Sequence, residues 1–236
     1  MKLGIWNIDH PEYGTQSPTK SRRFEAIQSY LEEANCDAFI ITEANSALQL
    51  PGYFCELSSV SPFKNTTRYY GEPNLYHQVA IYCKQPLEQI ESEEKINGLL
   101  CSVKGFDAVD HIYGSVVITI KDQWSKESSK TYSDRLAEQI QAIQHLQLTR
   151  TVVGGDFNLK RSWSLKEKAY RRISTDLESV GWCWPTKSQT QTVQHVMHSP
   201  DLSATISIDS SVVRKEGTKS GLSDHPFIRV LIEFLE

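Results

Sequence analysis

Thr151-Val152-Val153-Gly154-Gly155-Asp156-Phe157-Asn158 runs from a β-branched segment through two glycines to an acid and an amide. The run 151–153 predicts a short buried strand. The glycines carry no Cβ to clash, so the backbone is expected to turn sharply there. In a layered α/β protein, ligand sites collect at strand ends and in the loops that follow them. A carboxylate and an amide on a tight turn suit the handling of a water with a phosphate or metal. Read alone, the same residues equally make a polar turn that caps the next segment.

Outward from this stretch, apolar residues Leu136, Ile140, Ile143 and Leu146 have helical spacing and lead into it. His111 to Ile120 reads as a strand. Downstream, Ser164 and Glu167 have capping-box spacing, and Ala169, Ile173, Leu177 and Val180 form the stripe of a third helix, with Gly181 as its left-handed stop. Nearer the N-terminus, Leu3 to Ile8 predicts a strand, Lys20 to Asn35 an amphipathic helix and Ala38 to Thr42 a second strand. Pro51 to Asn74 reads as irregular and aromatic, and Gln78 to Cys83 and Leu99 to Val103 as strands. Val193 to Met197, Ile206 to Val213 and Phe227 to Leu235 close the chain as strands. Consecutive strands between Gln78 and Ile120 exclude strict βα alternation. The fold class expected is α/β, with two mixed sheets packed face to face and helices outside. No linker or repeat divides the chain, so residues 1–236 are read as a single domain.

The net charge of −4 gives no sign of non-specific nucleic-acid binding, although it leaves room for a local basic groove. No apolar run is long enough for a signal peptide's core or a membrane span. Five scattered cysteines without a CxxC pair predict free thiols, mostly buried, in a reducing cytosol, hence a cytoplasmic location.

The strand ends carry the chemistry. Asn7 follows Trp6 on the first strand, Glu43 ends the second, Asp156 and Asn158 follow a middle strand, and Asp224-His225 precedes the last. If these ends converge, they form an oxygen-rich site suited to Mg²⁺ or Mn²⁺. The ordered motifs Trp6-Asn7, Thr42-Glu43, Gly154 to Asn158 and Leu222-Ser223-Asp224-His225 resemble the endonuclease/exonuclease/phosphatase family of DNase-I-like, metal-dependent phosphoesterases. The resemblance implies a four-layered α/β sandwich. It further implies Glu43 as principal metal ligand, with Asn7 and Asp224 assisting. It gives Asp156 the role of activating water, Asn158 that of holding a phosphate oxygen and His225 that of donating to the phosphoryl oxygen.

Two positions depart from the family pattern. Relatives often carry an Asp, in a pattern like I-D-H-V, that orients the catalytic histidine; here Val193-Gln194-His195-Val196 puts Gln194 at that histidine-orienting position. A neutral amide can orient an imidazole but not stabilise its charged form as a carboxylate does, so Gln194→Asp is expected to raise the rate. Asp201 or Asp209 could also supply the missing acid. Nuclease-like relatives also often have a histidine where Ser115 or Val116 stands. Tyr113 is either a phosphate contact or a core tyrosine. Tyr13, Tyr69, Tyr70 and Trp163 lie near Lys20, Arg22, Arg23, Lys64, Arg68, Lys160 and Arg161, and Arg161 and Trp163 directly follow the 154–158 motif. Aromatics stack bases and cations grip phosphates. The expected partner is thus a phosphoester, with a nuclease acting on DNA or RNA leading. A phosphatase or phosphodiesterase on a small or lipid-linked phosphate is the alternative, and a weakened, phosphate-binding family member is a third reading.

Overall fold

A computed structural model describes residues 1–11, 13, 18–60, 76–91, 97–117, 131–146, 149–159, 167–214 and 221–235. The first sheet is built from β1 (Lys2–Asn7), β2 (Ala38–Asn45), β3 (Phe54–Leu57), β4 (Tyr76–Cys83), β10 (Leu202–Asp209) and β11 (Phe227–Phe234), in the order β10-β11-β1-β2-β4-β3. The second holds β5 (Leu87–Ile90), β6 (Gly98–Val103), β7 (His111–Val116), β8 (Thr151–Asp156) and β9 (Gln194–His198), in that order. Both sheets are mixed: β1 with β2 and β7 with β8 pair in parallel, and the other pairs are antiparallel.

Strand alternation sets the layers. Leu3, Ile5, Ile40, Val79, Ile112, Val152 and Val196 fill the space between the sheets. On the outer face of the first sheet, Trp6, Phe39 and Ile41 pack against Phe24, Ile27 and Leu31 of α1 (Pro18–Ala34). On the outer face of the second, Tyr113, Val153 and Met197 meet α2 (Tyr132–Leu146) and α3 (Glu167–Asp176). The result is the four-layered α/β sandwich expected. Pro18 opens α1, where its missing N–H costs nothing. Asn35, at φ 47°, closes it with an N–H bond to the Leu31 carbonyl. Thr131 and Asp134 cap α2 reciprocally, by bonds of 2.8 and 3.2 Å. Gly181 ends the 3₁₀ turn 178–180 at φ 95°.

Several expectations change. Residues 54–57 form an edge strand within the stretch read as irregular, and β5 had no sequence signal. β10 begins four residues before the expected start because Leu202 is a core residue. The two glycines do not turn the chain; β8 runs through them to Asp156. Their smallness serves close contact instead. A Cβ on Gly154 would lie 2.6 Å from Ile5 Cδ1 and 2.8 Å from Ile40 Cδ1, across the inter-sheet space. Gly155 has φ 149°, and a Cβ there would lie 1.9 Å from the Ser115 carbonyl oxygen. All five cysteines are free; Cys36, Cys83 and Cys101 are buried, while Cys55 and Cys183 are exposed. The Ser164 half of the proposed capping box, residues 61–75 and residues 118–130 lie outside the described residues. No described helix is long and apolar enough to cross a membrane.

Candidate active site

β1 and β2 of one sheet and β8 of the other end at the same edge of the sandwich, beside the segment that enters β11. Asn7 stands at the centre. Its Nδ2 donates to Asp156 Oδ2 at 2.7 Å and to Glu43 Oε1 at 3.2 Å. Its Oδ1 accepts from the Asp9 N–H, which fixes the amide's orientation. Asp156 is 1 % exposed; its Oδ1 accepts from the Asn158 N–H at 2.8 Å and its Oδ2 lies 3.3 Å from His225 Nε2. His225 Nδ1 lies 3.5 Å from Asp224 Oδ1, and the Asp224 side chain is 58 % exposed. Asn158 donates through Nδ2 to the Val117 carbonyl. Asn7, Glu43, Asp156, Asn158, Asp224 and His225 therefore meet at one place.

Gln194 does not face the imidazole. Its Oε1 accepts from the Asn7 N–H and its Nε2 donates to the Pro226 carbonyl, both at 2.6 Å. The groups beside His225 are Asp156 and Asp224. Tyr113 is a core residue, 1 % exposed, donating to Gln139 Oε1 of α2; Ser115 donates to the same oxygen. Arg161 and Trp163 lie outside the described residues, as do Lys64, Arg68, Tyr69, Tyr70 and Lys160.

The backbone is constrained here. Glu43 at φ 51° and Asn158 at φ 48° are left-handed, as are neighbouring Asp9 and His10. Non-glycine residues in this region cost about 1–3 kcal/mol each and persist where surrounding bonds hold them. Several such bonds were invisible in the sequence. Arg23 of α1 donates to the carbonyls of Ile8, Asp9 and Leu222 and so ties two site loops together. Its neighbour in charge, Arg214, pairs with the Asp9 carboxylate. Ser223 Oγ donates to the Asn7 carbonyl and accepts from the His225 N–H; Trp6 Nε1 donates to the His225 carbonyl. His10, 8 % exposed, puts Nε2 3.6 Å from Glu43 Oε2. Behind residues 154–158, fully buried His195 holds the Leu159 carbonyl at 2.6 Å and Thr186 at 3.0 Å. Burial lowers its pKa to about 4, so it is neutral and donates from Nε2.

Burial, with Asp156 as a like charge beside it, pushes the Glu43 carboxyl up to about 8. Asp156 is raised too, by burial, against the opposing pull of His225. Carboxylate oxygens are the ligands that a hard divalent cation takes. No group of three or more His, Cys, Asp or Glu side chains at metal-holding separation occurs among the described residues. Mg²⁺ does not need one, since it keeps several waters and binds through one or two carboxylates plus substrate phosphate. Glu43, with its side chain 29 % exposed, can present such a carboxylate.

Comparison with known proteins identifies the family to which this fold and its strand-end acids correspond. The profile of the endonuclease/exonuclease/phosphatase family matches residues 4–225, and the chain belongs to that family. Its members are hydrolases of phosphoesters and generally use divalent metal ions. No curated protein sequence gives a significant match. Among solved structures, the fold is shared with the endonuclease domain of TRAS1, a telomere-specific non-LTR retrotransposon (TM-score 0.60, 14 % identity, 100 % of this chain and 99 % of that one). It is shared with a mannosyl-6-phosphatase of Bacteroides thetaiotaomicron (0.63, 12 %, 99 % and 100 %). D. rerio TDP2 complexed with single-strand DNA product is similar as well (0.62, 14 %, 99 % and 98 %).

Proposed function

We propose that this protein is a Mg²⁺- or Mn²⁺-dependent phosphodiesterase that cleaves DNA or RNA. The observation that carries the phosphoesterase reading is the sharing of Asp156 Oδ2 between Asn7 Nδ2 and His225 Nε2. Phosphoryl displacement needs an aligned nucleophile and stabilisation of negative oxygen charge. Asp156, whose proton affinity burial has raised, orients and deprotonates the attacking water. Asn158 holds a non-bridging oxygen, and His225 donates to the phosphoryl group. Glu43, Asn7 and Asp224 would hold the cation, which would supply polarisation of the phosphoryl group.

The nuclease assignment is supported by the aromatic and basic residues that follow the 154–158 motif, Arg161 and Trp163 among them. A second reading, a phosphatase on a small phosphate, is favoured by one observation. Arg23 and Arg214, the basic residues beside the described site, are both engaged, with carbonyls and with Asp9. Purified protein should be incubated with single- and double-stranded DNA, RNA, sugar phosphates and lipid phosphates, with Mg²⁺ or with EDTA. Cleavage of a nucleic acid that stops with EDTA and with Asp156→Ala is the expected result. Turnover of a small monoester alone would select the second reading. No Mg²⁺-dependent turnover of any class would leave a phosphate-binding protein.

A further inference from the structure

The β1–β11 ladder pairs Leu3 with Val230 and Ile5 with Ile228. Continued by two residues, this register would set Asn7 opposite Pro226. The ladder stops short of that pair. The side-chain amide of Gln194 stands between the two main chains instead, accepting from the Asn7 N–H and donating to the Pro226 carbonyl, each at 2.6 Å. The two partners fix which end of the amide is which, because an N–H can only donate and a carbonyl can only accept. Gln194 is 0 % exposed, and its backbone pairs with Asp156 across β8 and β9. One side chain thus touches the strand end that carries Asn7 and the segment that carries His225, from a position opposite Asp156.

We propose that Gln194 is a positioning residue that acts as an inserted peptide unit, setting the spacing of Asn7, Asp156 and His225. The inference rests on the phosphoesterase reading for its kinetic consequence but not for its structural one. It reverses the expectation that an acid at this position would improve the enzyme. An aspartate is one methylene shorter and has no donor for the Pro226 carbonyl. A glutamate has the right length, yet when ionised it turns two acceptors on a pair that needs one acceptor and one donor. Either change leaves the Pro226 carbonyl buried without its partner and puts a charge beside Asp156.

The test compares Gln194→Glu, Gln194→Asp and the uncharged, similarly sized Gln194→Met with a control. The control is Leu202→Ala, at the far end of the first sheet, assayed at matched distance below its own Tm. Steady-state kinetics on the substrate identified for the wild type are combined with amide hydrogen exchange at Asn7, read by NMR. The expected result is a kcat lower by about tenfold to a hundredfold with KM moved less than about threefold, because displaced catalytic groups cost rate more than binding. Asn7 exchange should accelerate while Ile41 and Thr42 stay protected, and Leu202→Ala should retain wild-type kcat. Gln194→Asp with wild-type or higher kcat would overturn the proposal, as would an equal kcat loss in Leu202→Ala. If the wild type hydrolyses nothing, the phosphoesterase reading fails separately. Unchanged Asn7 protection in both Gln194→Glu and Gln194→Met would then overturn the positioning role.

Discussion

The side chain of Asn7 donates to that of Asp156 across 2.7 Å, and this bond joins the end of a strand in one sheet to the end of a strand in the other. The same Nδ2 also serves Glu43, so a single NH₂ group separates two carboxylates that would otherwise repel. Asn7→Asp replaces that donor with a third acceptor. Removing one preorganised donor from a site of this kind costs about a hundredfold to a thousandfold in rate, and Asn7→Asp is expected to lose at least that much in kcat/KM. An Asn7→Asp enzyme within tenfold of wild type would refute this account of the bridge.

Stability should depend on pH through the same carboxylates. Glu43, raised from 4.5 to about 8, keeps in the folded protein a proton that the unfolded chain has released. Its contribution therefore falls as pH rises from about 4.5 to 8, and the raised Asp156 acts in the same sense. His195, lowered from 6.5 to about 4, works oppositely: its contribution grows as pH rises to 6.5 and is complete above that. With a chelator present, Tm should drop between about pH 6.5 and 8, where His195 no longer offsets the loss at Glu43. Added Mg²⁺ should remove the drop, because the ion takes the deprotonated form. Scanning fluorimetry in both conditions checks this; a chelated Tm that climbs from pH 6.5 to 8 would contradict it.

Arg23 reaches three main-chain carbonyls from one guanidinium, and a lysine cannot reproduce that fork. Arg23→Lys is expected to destabilise by about 2 kcal/mol through unpaired carbonyls and to lower kcat about tenfold through slack in the two loops. Urea unfolding and steady-state kinetics measure the two effects. An unaffected kcat would mean that the loops hold themselves.

The adjacent glycines should respond differently to the same added methyl. The nearest atoms to a Gly154→Ala methyl belong to the side chains of Ile5 and Ile40, which can shift, so a cost of about 1–3 kcal/mol is expected. Gly155→Ala meets the Ser115 carbonyl in the neighbouring strand at a φ that disfavours a side chain, and should not yield folded protein. Circular dichroism and urea titration of the two variants separate these outcomes; equal stability would show that β7 yields.

What the sequence made legible follows from what periodicity and motif order encode. The helical stripes of α1 and α2 and the run of apolar strands reported the layers, because each face of each element is chemically uniform. The convergence of Asn7, Glu43, Asp156 and His225 was legible because they stand at strand ends in family order. Gln194 was misread because a motif position names a residue but not the direction of its side chain. The Gly154-Gly155 pair was misread because a turn and a close inter-sheet approach ask for the same absence of Cβ. Tyr113 and Arg23 carry functional groups that suit a phosphate, and only their partners, Gln139 and three carbonyls, show them to be occupied. Ser223 and His195 bond across long stretches of sequence and leave no local signature.

The pairing of β1 with β11 has a consequence for the protein's life history. Residues 2–7 add to a sheet whose neighbouring strand is residues 227–234, and the Asn7 carbonyl waits for Ser223. Contacts separated by nearly the whole chain carry a large loop-closure cost and form slowly. During synthesis, Glu43 and Asp156 have emerged from the ribosome long before His225 exists. The nascent chain is therefore expected to be catalytically silent until its last strand is made. Fragments cut anywhere between the two strands should be inert unless the pieces reassociate.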